Sequence, residues 1–229
     1  VDDIELILFE SHDDTNIPDT RQSAALGSLA AQYACTYTVH LPTDRLLSDR
    51  DPQRRKDTRR IIDRIVNATA ALSPYAYVLH CDGIAPDATA RRRREWYARC
   101  KKGIEAVVAG TGIDPSLVCV ENLGYPWQWH AALVEETGCS LCCDVGHLWA
   151  AECSDWQEQV QRMLCAARVV HLHGVSPRRD HASLTHMDDD TVSRLLSLLR
   201  DYRHVITLEV FSPQDVYGSL NTVRRLWRD

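Results

Sequence analysis

Short apolar runs alternate with longer segments of mixed polarity along the whole chain. The first run is Ile4-Glu5-Leu6-Ile7-Leu8-Phe9-Glu10, and others follow at 35–41, 76–81, 117–123, 140–144, 168–175 and 205–211. Between them the pattern predicts helices over 20–33, 53–72, 86–110, 126–137, 154–167, 188–202 and 213–227. Gly110 and Gly138 read as helix stops, and Ser212-Pro213 as a helix start. Near-continuous Val, Ile, Leu and Cys runs, each followed by a helix, indicate parallel strands buried on both faces. Seven such units in 229 residues predict one α/β domain over 1–229, a (β/α)8 barrel with its first βα unit missing from this chain. An open doubly wound sheet would carry a Gly-rich phosphate loop after its first strand, and this sequence has none there.

Composition narrows the partners. No apolar run approaches the roughly 18–20 residues that span a bilayer, so no membrane partner is expected. A formal charge of −6 argues against a general nucleic-acid binder and for a small-molecule substrate. Nine cysteines is a high, odd number, but many fall inside apolar runs, where a thiol acts as a small hydrophobe. Cys139 and Cys142 form a CxxC with no second one to complete a zinc knuckle. Reduced thiols and the absence of a signal-peptide pattern make a cytoplasmic protein the expectation.

The ends of the runs carry the chemistry. In such barrels the C-terminal ends of the strands form the active face. Those ends are Glu10, His40, His80, Glu121, Asp144 with His147, His171 with His173, and Glu209. Packing alone would favour Val, Ile or Leu there, and so many ionisable groups are costly to desolvate without a compensating cation. Mixed carboxylates and imidazoles suit Zn, Mn, Fe or Co better than Ca or Mg, in a number the sequence leaves open. Glu121 and Glu209 interrupt apolar strands, as metal ligands or general bases on one reading and as halves of structural ion pairs on the other. His171 and His173 alternate on one strand across Leu172, so both side chains point to the same face. One reads as a ligand, the other as a supporting or substrate group. Asp180-His181 falls in the next loop, as site or surface. His40 and His80 are site groups or satisfied core histidines, and Glu10 is equally open. His12, His130, His186 and His204 read as solvated. Arg91 to Arg94 read as a solvated helix face. Trp127 and Trp129 line a substrate pocket or pack in the core.

Val120-Glu121-Asn122, Asp144-x-Gly146-His147, His171-x-His173 followed by Asp180-His181, and Leu208-Glu209 together resemble the metal-binding signature of xylose isomerase-like barrels. That superfamily includes sugar isomerases, epimerases and endonuclease IV-type nucleases. The opening run, Val39-His40-Leu41-Pro42, His171-Leu172-His173-Gly174-Val175 and Asp180-His181-Ala182-Ser183-Leu184 resemble the cobamide-remodelling phosphodiesterases of the CbiR type. The resemblance implies Glu121, Asp144, His171 and Glu209 as core metal ligands, with His40, His80, His147 and His181 extending the set. His173, Asp180, Trp127 and Glu10 are then candidate substrate contacts, although Asp180 is adjacent to His181 where the nuclease pattern separates them. The implied activity is metal-dependent hydrolysis of a cobamide nucleotide loop, with Glu121 or Glu209 as base. The alternatives are a sugar or sugar-phosphate isomerase or epimerase using the two glutamates, and a non-catalytic metal- or corrinoid-binding protein.

Overall fold

The structure, a computed structural model, describes residues 2–7, 16–177 and 179–227. Its chain divides into two compact units, Val1–Leu141 and Cys142–Asp229. The strands follow the order β1-β2-β3-β4-β5-β6-β9 in one seven-stranded sheet, and β7 and β8 form a separate two-stranded one.

In the first unit β1 (Asp3–Ile7), β2 (Thr36–His40), β3 (Ala76–Leu79) and β4 (Val118–Glu121) alternate with α1 (Thr20–Tyr33), α2 (Pro52–Thr69), α3 (Ala90–Thr111) and α4 (Gln128–Thr137). Strand pairs are parallel, with Ile7 opposite His40, His40 opposite Val78 and Leu79 opposite Val120. All four residues of β3 and of β4 are buried, as expected for strands covered on both faces. Helix entry follows local chemistry. Asp19 and Gln22 form a capping box at α1, and Asp51 caps α2 ahead of Pro52 at its first position. Gly112 (φ +71°), rather than Gly110, ends α3 in the left-handed conformation. The stop lies two residues later because Gly110 is tolerated inside the last turn.

β5 (Ser140–Asp144) straddles the boundary between the units. The second unit continues with α5 (Val145–Ala150), α6 (Trp156–Leu164), β6 (Ala167–Leu172), β7 (Gly174–Ser176), β8 (Arg179–Ala182), α7 (Asp189–Leu198), β9 (Val205–Leu208) and α8 (Pro213–Leu226). β6 and β9 are parallel, with Leu172 opposite Leu208. Two expectations change here. The single strand over 168–175 breaks after Leu172, and Gly174 opens an antiparallel hairpin against β8. Asp180 and His181 therefore lie on a strand rather than in a loop, with His181 at φ 51° in the left-handed region. α5 was not anticipated at all.

All nine cysteines are free thiols, Cys139 and Cys142 included. No described helix is long and apolar enough to cross a membrane.

Candidate functional site

Among the described residues each unit gathers imidazoles and carboxylates at or just beyond the C-terminal ends of its parallel strands. In the first unit three consecutive strands deliver His40, His80 and Glu121, whose ligand-capable atoms lie within 4.8 Å of one another. Glu121 is 1% exposed, and a single oxygen, Oε2, stands 3.3 Å from His40 Nε2 and 3.0 Å from His80 Nε2. His40 Nδ1–H donates to the Leu41 carbonyl at 2.9 Å. Neutral His40 therefore turns a lone pair on Nε2 toward a carboxylate oxygen, an arrangement that a proton or a cation between them reconciles. His80 Nδ1 lies 3.3 Å from Asp82 Oδ2, the kind of carboxylate support that orients a metal-binding imidazole. Asp82 had no role in the sequence reading; its signal was the two-residue spacing from His80.

The second unit gathers Asp144, His147, His173 and His181, again within 4.8 Å. Asp144 caps α5, accepting from the His147 backbone N–H at 2.7 Å through Oδ1. That bond fixes the carboxylate and places His147 beside it. The His173 ring is fully buried, with Nδ1 donating to the Gly174 carbonyl at 3.2 Å and Nε2 3.4 Å from Asp144 Oδ1. Here too the carbonyl fixes the tautomer, so the buried Nε2 faces a carboxylate without a hydrogen bond. The His181 ring stacks on His173 at 4.1 Å, and His147 meets both rings edge-on. A glycine at 146 is required, because a Cβ there would overlap the His173 ring. Beside this group His171 Nδ1 is 3.0 Å from Glu209 Oε2, which also lies 3.4 Å from His181 Nε2. Glu209 is placed by its backbone N–H, which donates to the Leu172 carbonyl at 2.9 Å.

Imidazole Nε2 atoms held against carboxylates by backbone-fixed tautomers fit a divalent cation, and the N/O donor set suits Zn, Mn, Fe or Co. In the metal-free protein the neighbouring carboxylates raise the pKa of His80 and of His173. Burial pulls His80 down, but Glu121 and Asp82 together outweigh it and push the imidazole up to about 10. For His173, burial is likewise outweighed by Asp144, the Gly174 carbonyl and Asp180, and the net shift is upward.

The His80 shift has a defined sign. A group whose pKa is raised from 6.5 to about 10 on folding stabilises the fold fully below pH 6.5 and loses that contribution as pH rises toward 10. Metal-free protein is therefore expected to lose about 1 kcal/mol per pH unit between pH 7 and 8. The buried thiols, such as Cys139 with a pKa pushed up to about 11, add the same sign only at higher pH. Urea midpoints across this range check the slope, and His80→Gln should flatten it; equal slopes in the two proteins would count against the His80–Glu121 pair.

Other expected residues fall elsewhere. Glu10 and His12 lie outside the described residues. Trp127 is half-buried at the N-terminal end of α4 and joins neither cluster; Trp129 packs against Trp96 and Tyr125. Asp180 is half exposed, with Oδ1 3.4 Å from His173 Nδ1. His186 and His204 are exposed, as are Arg91 to Arg94. His130 is not solvated: it is fully buried, stacks on Tyr125 at 4.2 Å and accepts the Leu123 backbone N–H at 3.3 Å. Phe211 carried no sequence signal, yet its exposed ring lies 5.2 Å from that of His181.

Known folds resemble the chain over nearly its full length. A D-tagatose 3-epimerase-like protein is 18% identical, with 98% of this chain and 88% of that one covered at a TM-score of 0.78. Endonuclease IV from Thermus thermophilus is 20% identical, covering 91% and 82% at 0.69. A further Thermus thermophilus protein, from a zinc chloride soak, is 21% identical, covering 97% and 87% at 0.65. A search among curated proteins returned no match. The sequence model of one family, the xylose isomerase-like TIM barrels, matches residues 1–226. The chain belongs to the xylose isomerase-like TIM barrel family.

Proposed function

We propose that this protein is a divalent-metal-dependent phosphodiesterase that acts on a small molecule, the nucleotide loop of a cobamide. The observation that supports the hydrolase reading is the presence of an imidazole–carboxylate cluster in each compact unit. One such set would serve an isomerase that polarises a carbonyl with a single ion; two sets suit a multi-metal hydrolase. In the first unit Glu121, His40 and His80 would hold an ion, and in the second Asp144, His147, His173 and His181, with His171 and Glu209 beside them. A bound divalent ion supplies positive charge to a phosphoryl oxygen and acidifies water. The protein's own groups do the rest. Glu121 or Glu209, both buried, accepts the proton of the attacking water. Asp82 orients His80, and Asp180 supports His173. Phe211, beside His181, offers a face for the substrate's flat or apolar parts.

The cobamide assignment rests on the sequence likeness at 39–42, 171–175 and 180–184. A second reading, a sugar epimerase, draws on the same buried glutamates as a proton-passing pair, and epimerases are among the folds this chain resembles. Mass spectrometry of cobalamin incubated with metal-reconstituted protein, against a chelator-treated control, separates the two. A cobinamide-type fragment formed only with metal is the expected result. Intact cobalamin beside a fully metal-loaded protein would overturn the cobamide reading. Proton exchange into a ketose under the same conditions would replace hydrolysis with epimerisation.

A further inference from the structure

The first unit carries an unusual charge distribution that the metal chemistry does not use. α2 has six basic and two acidic residues, and α3 has seven and two, so these two helices are net +9 in a chain whose net charge is −6. They pack side by side, and the valley between them holds a cavity of about 330 Å³. Its walls carry Arg55, Lys56, Arg59, Arg99 and Lys102, and no acidic residue lines it. Only Arg59 has a carboxylate partner, Asp63 at 3.2 Å. Arg55 is held instead by the backbone carbonyls of Asp49 and Arg50, at 2.6 and 3.0 Å, and Arg99 by that of Ser48 at 2.6 Å. Such bonds fix a guanidinium without neutralising it. Among the described residues Arg55, Lys56, Arg99 and Lys102 make no ion pair. The floor is apolar and shallow-sided, built of Leu47, Ala98 and Ala106, with Gly103 packed so closely on Leu47 that a Cβ there would come within 3.2 Å of it.

We propose that the α2–α3 valley is a docking groove for an acidic amphipathic segment of a partner protein. Such a segment seats small apolar side chains on the Leu47–Ala98–Ala106 floor and sets its carboxylates against the four cations that make no ion pair. The chemistry of the groove selects this occupant over other polyanions. Single-stranded nucleic acid binds through exposed aromatic platforms, and here Trp96 is 1% exposed while the Tyr97 hydroxyl donates to the Ala132 carbonyl at 2.9 Å. A membrane surface calls for protruding large apolar side chains, and among the described residues α2 and α3 expose none.

The probe is a fluorescent peptide of alternating Glu-rich and Leu/Ala positions at helical spacing, titrated with the full chain by anisotropy at 50 and 200 mM salt. The control variant is Lys56→Glu with Lys102→Glu, two exposed lysines outside both metal clusters. Saturable binding that weakens at least tenfold in the variant, with its thermal midpoint unchanged, is the expected result. Failure of the peptide to bind at low salt would overturn the proposal, as would equal binding to wild type and variant. Tighter binding of an oligonucleotide of the same charge, or of phosphatidylserine vesicles, would assign the groove to that partner instead. A concentration-dependent dimer abolished by the variant would assign it to a second copy of this chain.

Discussion

Gly146→Ala is expected to empty the second unit's cluster of metal and to destabilise the protein by about 3 kcal/mol, the upper range for overpacking a buried site. Alanine is ordinarily the better helix former, so local propensity on α5 predicts a gain. Packing overrides it. The added methyl would overlap Nδ1, Cε1 and Nε2 of His173 together, so no small rotation of the ring clears it. His173 has nowhere to retreat, being fully buried and stacked on His181. Relief must come from swinging the ring away from Asp144 or from shifting α5, which carries His147. Either movement dismantles the ligand set. Gly124→Ala is the matched control, since a Cβ there meets nothing within 4 Å. Urea unfolding and metal content after dialysis read the two effects. Wild-type metal content in Gly146→Ala would show that His173 takes no part in binding.

The second large effect is expected at Glu121. Its Oε2 serves two imidazoles at once, those of His40 and His80. Glu121→Ala should lower turnover about a thousandfold, whether the carboxylate acts as base or as ligand. The metal-free variant gives a reading independent of activity. With Glu121 gone, burial remains the largest influence on His80 and only Asp82 opposes it, so its pKa should fall from about 10 toward the ordinary histidine value. Glu121→Gln keeps the shape and removes the charge, and should show the same fall with a smaller loss of stability. Imidazole NMR titrations measure the shift. A His80 pKa left near 10 in either variant would refute the shared-oxygen arrangement.

The parts of this architecture that were legible in the sequence are those set by local pattern. Val118-Cys119-Val120-Glu121 is apolar until its final residue, and that break in an otherwise buried run marks both the strand and the end where its carboxylate meets the histidines. The same logic located His40, Asp144 and Glu209. The hairpin was hidden because His171-Leu172-His173-Gly174-Val175 is continuous in hydropathy, and only pairing with Arg179–Ala182 decides where one strand stops and the next begins. α5 leaves no mark in the sequence because a six-residue helix is too short to display a period, and its cap, Asp144, also reads as the end of the preceding strand. His130 was misplaced because a helix of weak amphipathicity does not declare which side faces inward. Its stacking on Tyr125 is a tertiary fact.

His181 adds information of another kind. A β-carbon in the left-handed region costs on the order of 1 kcal/mol, and glycine would occupy that conformation freely. The chain instead holds a strained histidine there, its ring stacked on one imidazole and directed toward a buried carboxylate. Strain of this sort persists only where surrounding structure enforces it, and it tends to concentrate at working positions. The torsion at 181 thus points to the same cluster as the interatomic distances do, through the backbone alone.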